Sequence, residues 1–453
     1  MERVTEVGQP PPPTPISQLM RPFSRFMHDQ ASSGIVLVVV AVIALVWANS
    51  PWYHSYEELF ETHITIGFGR WALNESLHYW INDALMAIFF FVVGLEIKRA
   101  VLVGELRSAR KAALPIVAAF GGMIVPAILF ISLNSSGDGS RGWGIPMATD
   151  IAFSLGVLSL LGTRVPLSLK IFLTAFAIID DLGAVIIIAV FYTGDILWGN
   201  LGIGALFLGV LLGISALGIR HPLVYAVVGT IVWLAFLQSG IHATVAGVLV
   251  AATIPIRVRV NSDGFLARSR DLLMVFERSG NQEEEEQTSS TQRAIIQELE
   301  ETVQQMESPL QRFEHALQPW VAFAIMPLFA LANAGVRIEG DFLDALTHPV
   351  TIGIILGLVI GKQVGVTLFA WAAVRFGLAA LPYGVTWRQM YGVAILGGIG
   401  FTMSLFITSL AFVDGGLNAE AKIGILLGSA ISGVIGYLVL RTGGQSDEAA
   451  FGE

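Results

Sequence analysis

Cysteine is absent from the 453-residue sequence. That excludes disulfides and thiolate-held metals and leaves the redox compartment open. Charge is scarce as well: 13% of residues are charged, against about a quarter in soluble domains. A phosphate-binding glycine loop, a zinc-spaced histidine cluster and a serine nucleophile motif are all missing, which argues against an NTP-driven pump. The opening stretch, MERVTEVGQPPPPTP, contains no apolar region of the signal-peptide kind and reads as a polar, proline-rich cytoplasmic tail. What remains is apolar. Hydrophobic residues make up 54% of the chain and mean hydropathy is +0.69, the composition of a polytopic membrane protein. The formal net charge of −9 argues weakly against nucleic acid, but much of the acidic excess lies in one stretch and says little about partners.

Apolar runs long enough to span a bilayer fall near 32–49, 80–97, 112–133, 143–161, 166–193, 200–219, 222–238, 240–256, 318–336, 350–374, 389–412 and 419–440. The expected fold class is therefore all-α, with about twelve transmembrane helices. The domains read as an N-terminal tail (1–30), a membrane domain of eight spans (31–256) and a charged cytoplasmic insert (257–317). Four more spans (318–441) and a C-terminal tail (442–453) complete the chain. Arg21, Arg25, Lys98, Arg99, Arg107, Arg110, Lys111, Arg164, Arg220, Arg375, Arg388 and Arg441 fall on alternate connections. The other set carries Arg70, Arg141 and Arg337 beside Asp138, Asp195, Glu339, Asp341 and Asp414. The positive-inside rule places both termini in the cytoplasm. Outside, HITIGFGRWALNESL alternates as a β-hairpin would around Gly67–Arg70. The insert holds Arg257, Arg259, Arg268 and Arg270, then the acidic run Glu283–Glu286. An amphipathic helix follows, with Ile295, Ile296, Leu299, Val303 and Met306 on one side. A solvated cytoplasmic insert is the plain reading of that stretch, and a regulatory role the other.

The chemistry concentrates in Lys170–Tyr192, where Asp180 and Asp181 interrupt an apolar run. A carboxylate at the centre of a membrane helix costs about 2.5–3.5 kcal/mol even on the lenient insertion scale. Each of the two then needs a proton, a cation or a partner. Consecutive helical residues point about 100° apart, so one acid can meet a fixed partner while the other opens onto a cavity. Asp150 and Lys362 are the other ionisable residues deep in spans. Three acids against one base invite either a hard monovalent cation or bound protons. Alternate occupancy of the same carboxylates by the two is enough to make an exchanger.

Trp143–Leu155 resembles Tyr391–Met403: an aromatic-Gly-β-branched opening, a poor helical centre, then Phe with a hydroxyl residue. The first opens the fourth span and the second the eleventh, so spans three to five pair with ten to twelve as an inverted repeat. A break at Pro146–Asp150 and another at Gly397–Gly400 would set like helix ends face to face. Asp150 would then balance two N-termini, and Lys362 two C-termini or an acid. Towards the cytoplasmic ends lie Asp83 and Glu96 on the second span, Arg99 at its mouth, and Glu314 and His315 ahead of the ninth. These read either as interfacial snorkelling charges or as functional groups. His242 opens the eighth span, as a packed histidine or a pH sensor.

Several stretches together resemble the bacterial NhaA sodium/proton antiporters: ATDIAFSLGVLSLLGTRVPLSLKIFLTAFAIIDDLGAVIIIAVFYT, INDALMAIFFFVVGLEIKR, SGIHATVAGVLV, VIGKQVGVTLF and GGIGFTMSLFI. The resemblance covers about 16–441 apart from the insert. It implies twelve helices with two crossed, interrupted helices in the bacterial cytoplasmic (inner) membrane. Their work would be to exchange inward protons for outward Na+ or Li+, with no cofactor. By position, Asp181 would be the main cation ligand and Asp180 its neighbour, alternately tied to Lys362 or protonated. Asp150 and Thr149 would serve the crossing. The family's pH response would map onto Glu96, Arg99, Glu314, His315 and His242, with Asp83 a further implicated acid. The hairpin near Ile64–Leu73 matches the family's homodimer contact. Two departures, Ala100 where the family has an acid and Gln318 in place of histidine, bear on the pH set-point and leave the transport residues untouched. The rival readings are an intramembrane aspartyl protease, a cation channel and a sodium-coupled symporter. Neighbouring carboxylates on one helix diverge, no GxGD motif follows, and neither oxygen rings nor substrate donors are in sight.

Overall fold

The computed structural model describes residues 30–67, 69, 72–256, 262–279, 290–337, 342–412 and 415–442. Both tails, Arg21, Arg25, Arg70, Arg257, Arg259, Glu283–Glu286, Glu339, Asp341 and Asp414 lie outside the described residues. The molecule is a bundle of helices with one small antiparallel hairpin, β1 (His63–Ile66) against β2 (Leu73–Ser76), in which His63 pairs with Ser76 and Ile66 with Leu73. Among the described residues, six helices are long and apolar enough to cross a membrane: Ala109–Leu133, Leu167–Phe191, Trp198–Ala216, Pro309–Asn333, Pro349–Arg375 and Gly416–Thr442. Two further apolar pairs are bent at a break, Ser32–Ala48 with Tyr53–Glu61 by 111° and Trp387–Leu396 with Phe401–Ala411 by 42°. Pro222–Leu237 and Ala243–Thr253 are apolar but shorter. Val42, Ile128, Val190 and Leu206 each leave half or more of their surface uncovered by protein, the exterior of a bundle bathed in lipid.

One boundary departs from the hydropathy reading. The helix expected to begin at 318 starts at Pro309, inside the stretch assigned to the charged insert. Ser308 and Gln311 form a reciprocal capping box there, with Pro309 at the first helical position, which is a start signal independent of hydropathy. Glu314 and His315 therefore ride on this helix and do not precede it. The rest of the described insert forms two helices, Ser262–Ser279 and Ser290–Met306. Arg268 and Glu298 join them in an exposed ion pair.

Three features place the chemistry. First, the region opening the fourth span is a tight 3-10 stretch, Asp138–Met147, followed by non-helical 148–150 and then the helix Ile151–Ser159. The later helix Trp387–Leu396 is likewise interrupted before Phe401–Ala411. Second, wide π-helical turns interrupt three long helices at Trp80–Leu85, Val321–Ile325 and Gly357–Gly361. Such turns recur at functional sites, and the last delivers Lys362. Third, Ala109–Leu133 packs closely on Lys362–Arg375. A side chain on Gly121 would strike the Gly365 carbonyl, and one on Gly365 the Gly121 carbonyl. Small residues of this kind let membrane helices approach, and here they press the start of the Lys362 helix into the core.

Candidate functional site

Leu167–Phe191 is a 25-residue helix whose centre is sealed by protein: Phe176, Ala177 and Ala184 are buried, and Asp180 and Asp181 are each only 1% exposed. Lys362 is wholly buried, and its ammonium donates to Asp180 Oδ2 at 2.7 Å. The same nitrogen lies 5.6 Å from the centre of the Phe176 ring, within reach of its π face. Asp181 has no such cation. Its Oδ1 is buried and has no hydrogen-bond partner among the described residues, and Asp180 Oδ1 is in the same condition. A buried carboxylate oxygen left without a donor is expensive. Two of them side by side make a place that a cation or a proton would stabilise. Among the described residues no group of three His, Cys, Asp or Glu side chains forms a resident metal site.

Asp150 and Thr149 sit where the two interruptions touch. Asp150 caps its own helix through Oδ1, accepting from the Phe153 N–H at 2.9 Å. Its Oδ2 accepts from the backbone N–H of Thr402 at 3.1 Å and from the Thr402 hydroxyl. One carboxylate thus serves the N-terminal ends of two half-helices, where the helix dipole favours negative charge. The opposite ends are served in return. Thr149 Oγ1 donates to the Gly397 carbonyl at 2.7 Å, Ser154 Oγ to Leu396 at 3.0 Å, and the Asp150 N–H to Ile399 at 2.7 Å. Ser404 Oγ closes the set on the Ile145 carbonyl at 2.7 Å. Lys362 is bonded to the acid Asp180, and the carbonyl ends take hydroxyl and amide donors. Thr402, Ser154 and Ser404 had no role in the sequence reading. Ser154 and Thr402 carried one signal, the hydroxyl that follows Phe in both similar segments, and Ser404 carried none.

A second group lies one level away. A cavity of 1020 Å³ is lined by Glu96, Arg99, Lys170, Thr174, Ile178 and Gln311, among others. Ile178 is one helical turn from Asp181, so the cavity reaches to just below the carboxylate pair. Arg99 pairs with buried Glu314 at 3.1 Å, and Glu314 Oε2 has no partner among the described residues. His315 points elsewhere, its exposed ring 3.8 Å from Glu307. His242 is apart from this group as well. Its Nε2 lies 2.8 Å from the carbonyl oxygen of Tyr192, the residue that ends the carboxylate helix. Asp83 stands on the π turn Trp80–Leu85, away from the pair, with Glu75 as its nearest charged neighbour of consequence. Next to it Asn82 accepts from the Asn333 amide at 2.8 Å, and Phe406 on the broken helix packs at a tilt on Phe90 and edge to face on Phe329.

With this geometry in place the comparisons decide the family. A model of the family described as Na+/H+ antiporter 1 matches residues 24–440. The chain belongs to that family. It is 51% identical over 426 residues to the Na(+)/H(+) antiporter NhaA of Koribacter versatilis, covering 94% of this chain and 92% of that protein. It is 50% identical over 429 residues to the protein of the same name from Oleidesulfovibrio alaskensis, covering 95% of each. With the NhaA of Rhodospirillum rubrum identity is 48% over 422 residues, 92% of this chain and 96% of that protein. The NhaA-type resemblance read from the sequence motifs thus holds over nearly the whole chain. Family and apolar helices together indicate a multi-pass protein of the bacterial inner membrane, and the relatives it matches are named antiporters, not enzymes.

Proposed function

We propose that this chain exports Na+ or Li+ in exchange for protons, driven by the proton gradient, with Asp181 as the principal cation ligand. The observation that carries the reading is the buried Asp181, with an oxygen unpartnered among the described residues, next to an ion pair and one turn from a cavity that carries Glu96, Arg99 and Lys170 on its wall. A cation arriving through the cavity gains the Asp181 carboxylate, and Asp180 becomes a second ligand once it lets go of Lys362. Protons returning from the other side neutralise Asp181 and restore the Asp180–Lys362 pair. Each occupant expels the other because the buried site has too few countercharges for both. Closing off the occupied site and opening it again on the far side is the alternating-access route around a midplane site. The broken helices at 148–150 and 397–400, held together by Asp150 and Thr149, supply the flexible backbone there.

The bundle makes twelve crossings in this reading. Six are the long helices, and the bent pairs, the two shorter helices, the Leu77–Leu102 stretch and the interrupted helix at Ile151–Ser159 supply the others. Both termini and the 257–308 insert face the cytoplasm, where the cavity then opens. Moving more protons than cations makes the cycle electrogenic, each net charge being worth about 2.3 kcal/mol per 100 mV. Glu96 and Arg99 on the cavity wall, Glu314 paired with Arg99, His315 on the same helix as Glu314 but facing Glu307, Asp83 beyond them and His242 at the end of the carboxylate helix set the pH response. The exposed hairpin of β1 and β2, with Ile64 and Ile66 on its surface, joins two copies. The test uses everted vesicles holding a preset acid interior. Na+ or Li+ should dissipate the gradient for the wild type and leave it standing for Asp181→Asn. A wild type silent to both ions between about pH 6 and 9, a span across which carboxylate and histidine sites titrate, would defeat the proposal.

A further inference from the structure

The two interrupted helices face the same problem, which is to satisfy backbone N–H groups at a helix start inside the bundle. Ile151–Ser159 has a side-chain cap of its own in Asp150. Phe401–Ala411 starts at Gly400, which has no side chain. A Cβ at Gly400 would sit 3.0 Å from the Ala148 carbonyl and press on Ser404 Oγ and Leu358 Cδ2, so the closeness of the two breaks leaves little room for a resident cap. The Phe401 N–H donates instead to Ser429 Oγ, 3.2 Å away on the last helix, Gly415–Thr442. Ser429 is 3% exposed. One turn on, Ser432 is wholly buried, and its hydroxyl has no partner among the described residues. It lies under Gly398, where a Cβ would collide with Ser432 Oγ and the Leu358 carbonyl. Two hydroxyls at helical spacing therefore form a ledge beneath the second break.

We propose that Ser429 is a positioning residue for ion exchange: from the last helix it caps the second broken helix and fixes its break against Asp150 and Thr149. The consequence for the ion runs through named contacts. Thr149 holds the Gly397 carbonyl and adjoins Asp180, so a break that drifts carries Thr149 away from the carboxylate pair. The inference rests on the site assigned under Proposed function and adds a third helix to it. Ser429 touches neither ion nor carboxylate.

The experiment compares Ser429→Cys, nearly isosteric but a weak acceptor, with Ser429→Thr, which keeps the hydroxyl. Everted vesicles carrying equal amounts of each protein are titrated with Na+. Losing a helix cap costs enough to raise the apparent KM for Na+ roughly five- to tenfold. Vmax should stay within about twofold, because the ligands themselves are intact, and Ser429→Thr should match the wild type. An unchanged KM in Ser429→Cys overturns the proposal. So does an equal loss in both variants with Vmax falling in step, the mark of a packing defect alone. Should Ser429→Ala fail to accumulate, the Cys and Thr pair still decides. A silent wild type overturns both this inference and the function it rests on, whereas a normal Ser429→Cys beside an active wild type overturns this one alone.

Discussion

Asp180 takes the Lys362 ammonium at 2.7 Å on Oδ2, whereas Asp181, the next residue, has no ion pair among the described residues, though each keeps a buried Oδ1 without a donor there. Both are buried to the same degree. The difference comes from helical geometry, which turns neighbours about 100° apart, and from the π turn that sets Lys362 on one side only. One helix thus carries an ion-paired carboxylate and an unpaired one at the same depth. The lesson is that stability and exchange are divided between adjacent residues, so their variants should fail in different ways.

The largest expected effect is on exchange. Asp181→Asn should abolish Na+-dependent proton movement in vesicles and leave the thermal midpoint of the purified protein unchanged or raised. It removes an uncompensated buried acid and breaks no pair. A variant that unfolds easily would mean Asp181 is structural and the contrast false. Next comes the pair. Lys362→Ala leaves Asp180 buried and alone, at a cost of about 3–5 kcal/mol in stability. The double variant Asp180→Asn with Lys362→Gln should recover most of the lost thermal midpoint without recovering Na+ affinity. Equal midpoints for the single and the double variant would show that the 2.7 Å contact contributes little. Smaller again is the effect of pH on the wild type. If protons and Na+ compete for one carboxylate, the apparent KM for Na+ falls by about tenfold per pH unit on the acid side and then levels off. A KM that does not vary with pH would dissolve the competition. The smallest effect belongs to His242, which touches the end of the carboxylate helix through the Tyr192 carbonyl. His242→Ala should shift the pH midpoint of activity and leave the maximum near that of the wild type.

Much of this was legible because the bilayer makes polar residues conspicuous. Asp180, Asp181, Asp150 and Lys362 stand out from apolar runs, and the breaks at 148–150 and 397–400 announce themselves through Pro146 and the glycines. The hairpin was readable from alternation. Pairings across the chain were harder. Lys362 could as well have faced two carbonyl ends as an acid, since no local spacing links it to Asp180 far away in sequence. Ser429 was invisible for another reason. Serines are common in apolar helices, and its role follows from Gly400 having no side chain of its own to cap the helix where two backbones meet. The Pro309 start is written in the Ser308 capping box and in Pro309 itself, whereas the polar residues of 311–318 hide it from hydropathy. The separation of His315 and His242 from the Arg99–Glu314 pair is a matter of side-chain direction, on which the sequence is silent.

The central claim is that one buried site holds either a sodium ion or protons. Its most direct measurement uses purified protein in detergent at weak buffering near pH 7, with pH recorded as NaCl is added against a choline chloride control. The account predicts that Na+ releases protons saturably from the wild type and none from Asp181→Asn. Saturable Na+ binding with no proton released, or the same release from Asp181→Asn, would contradict it.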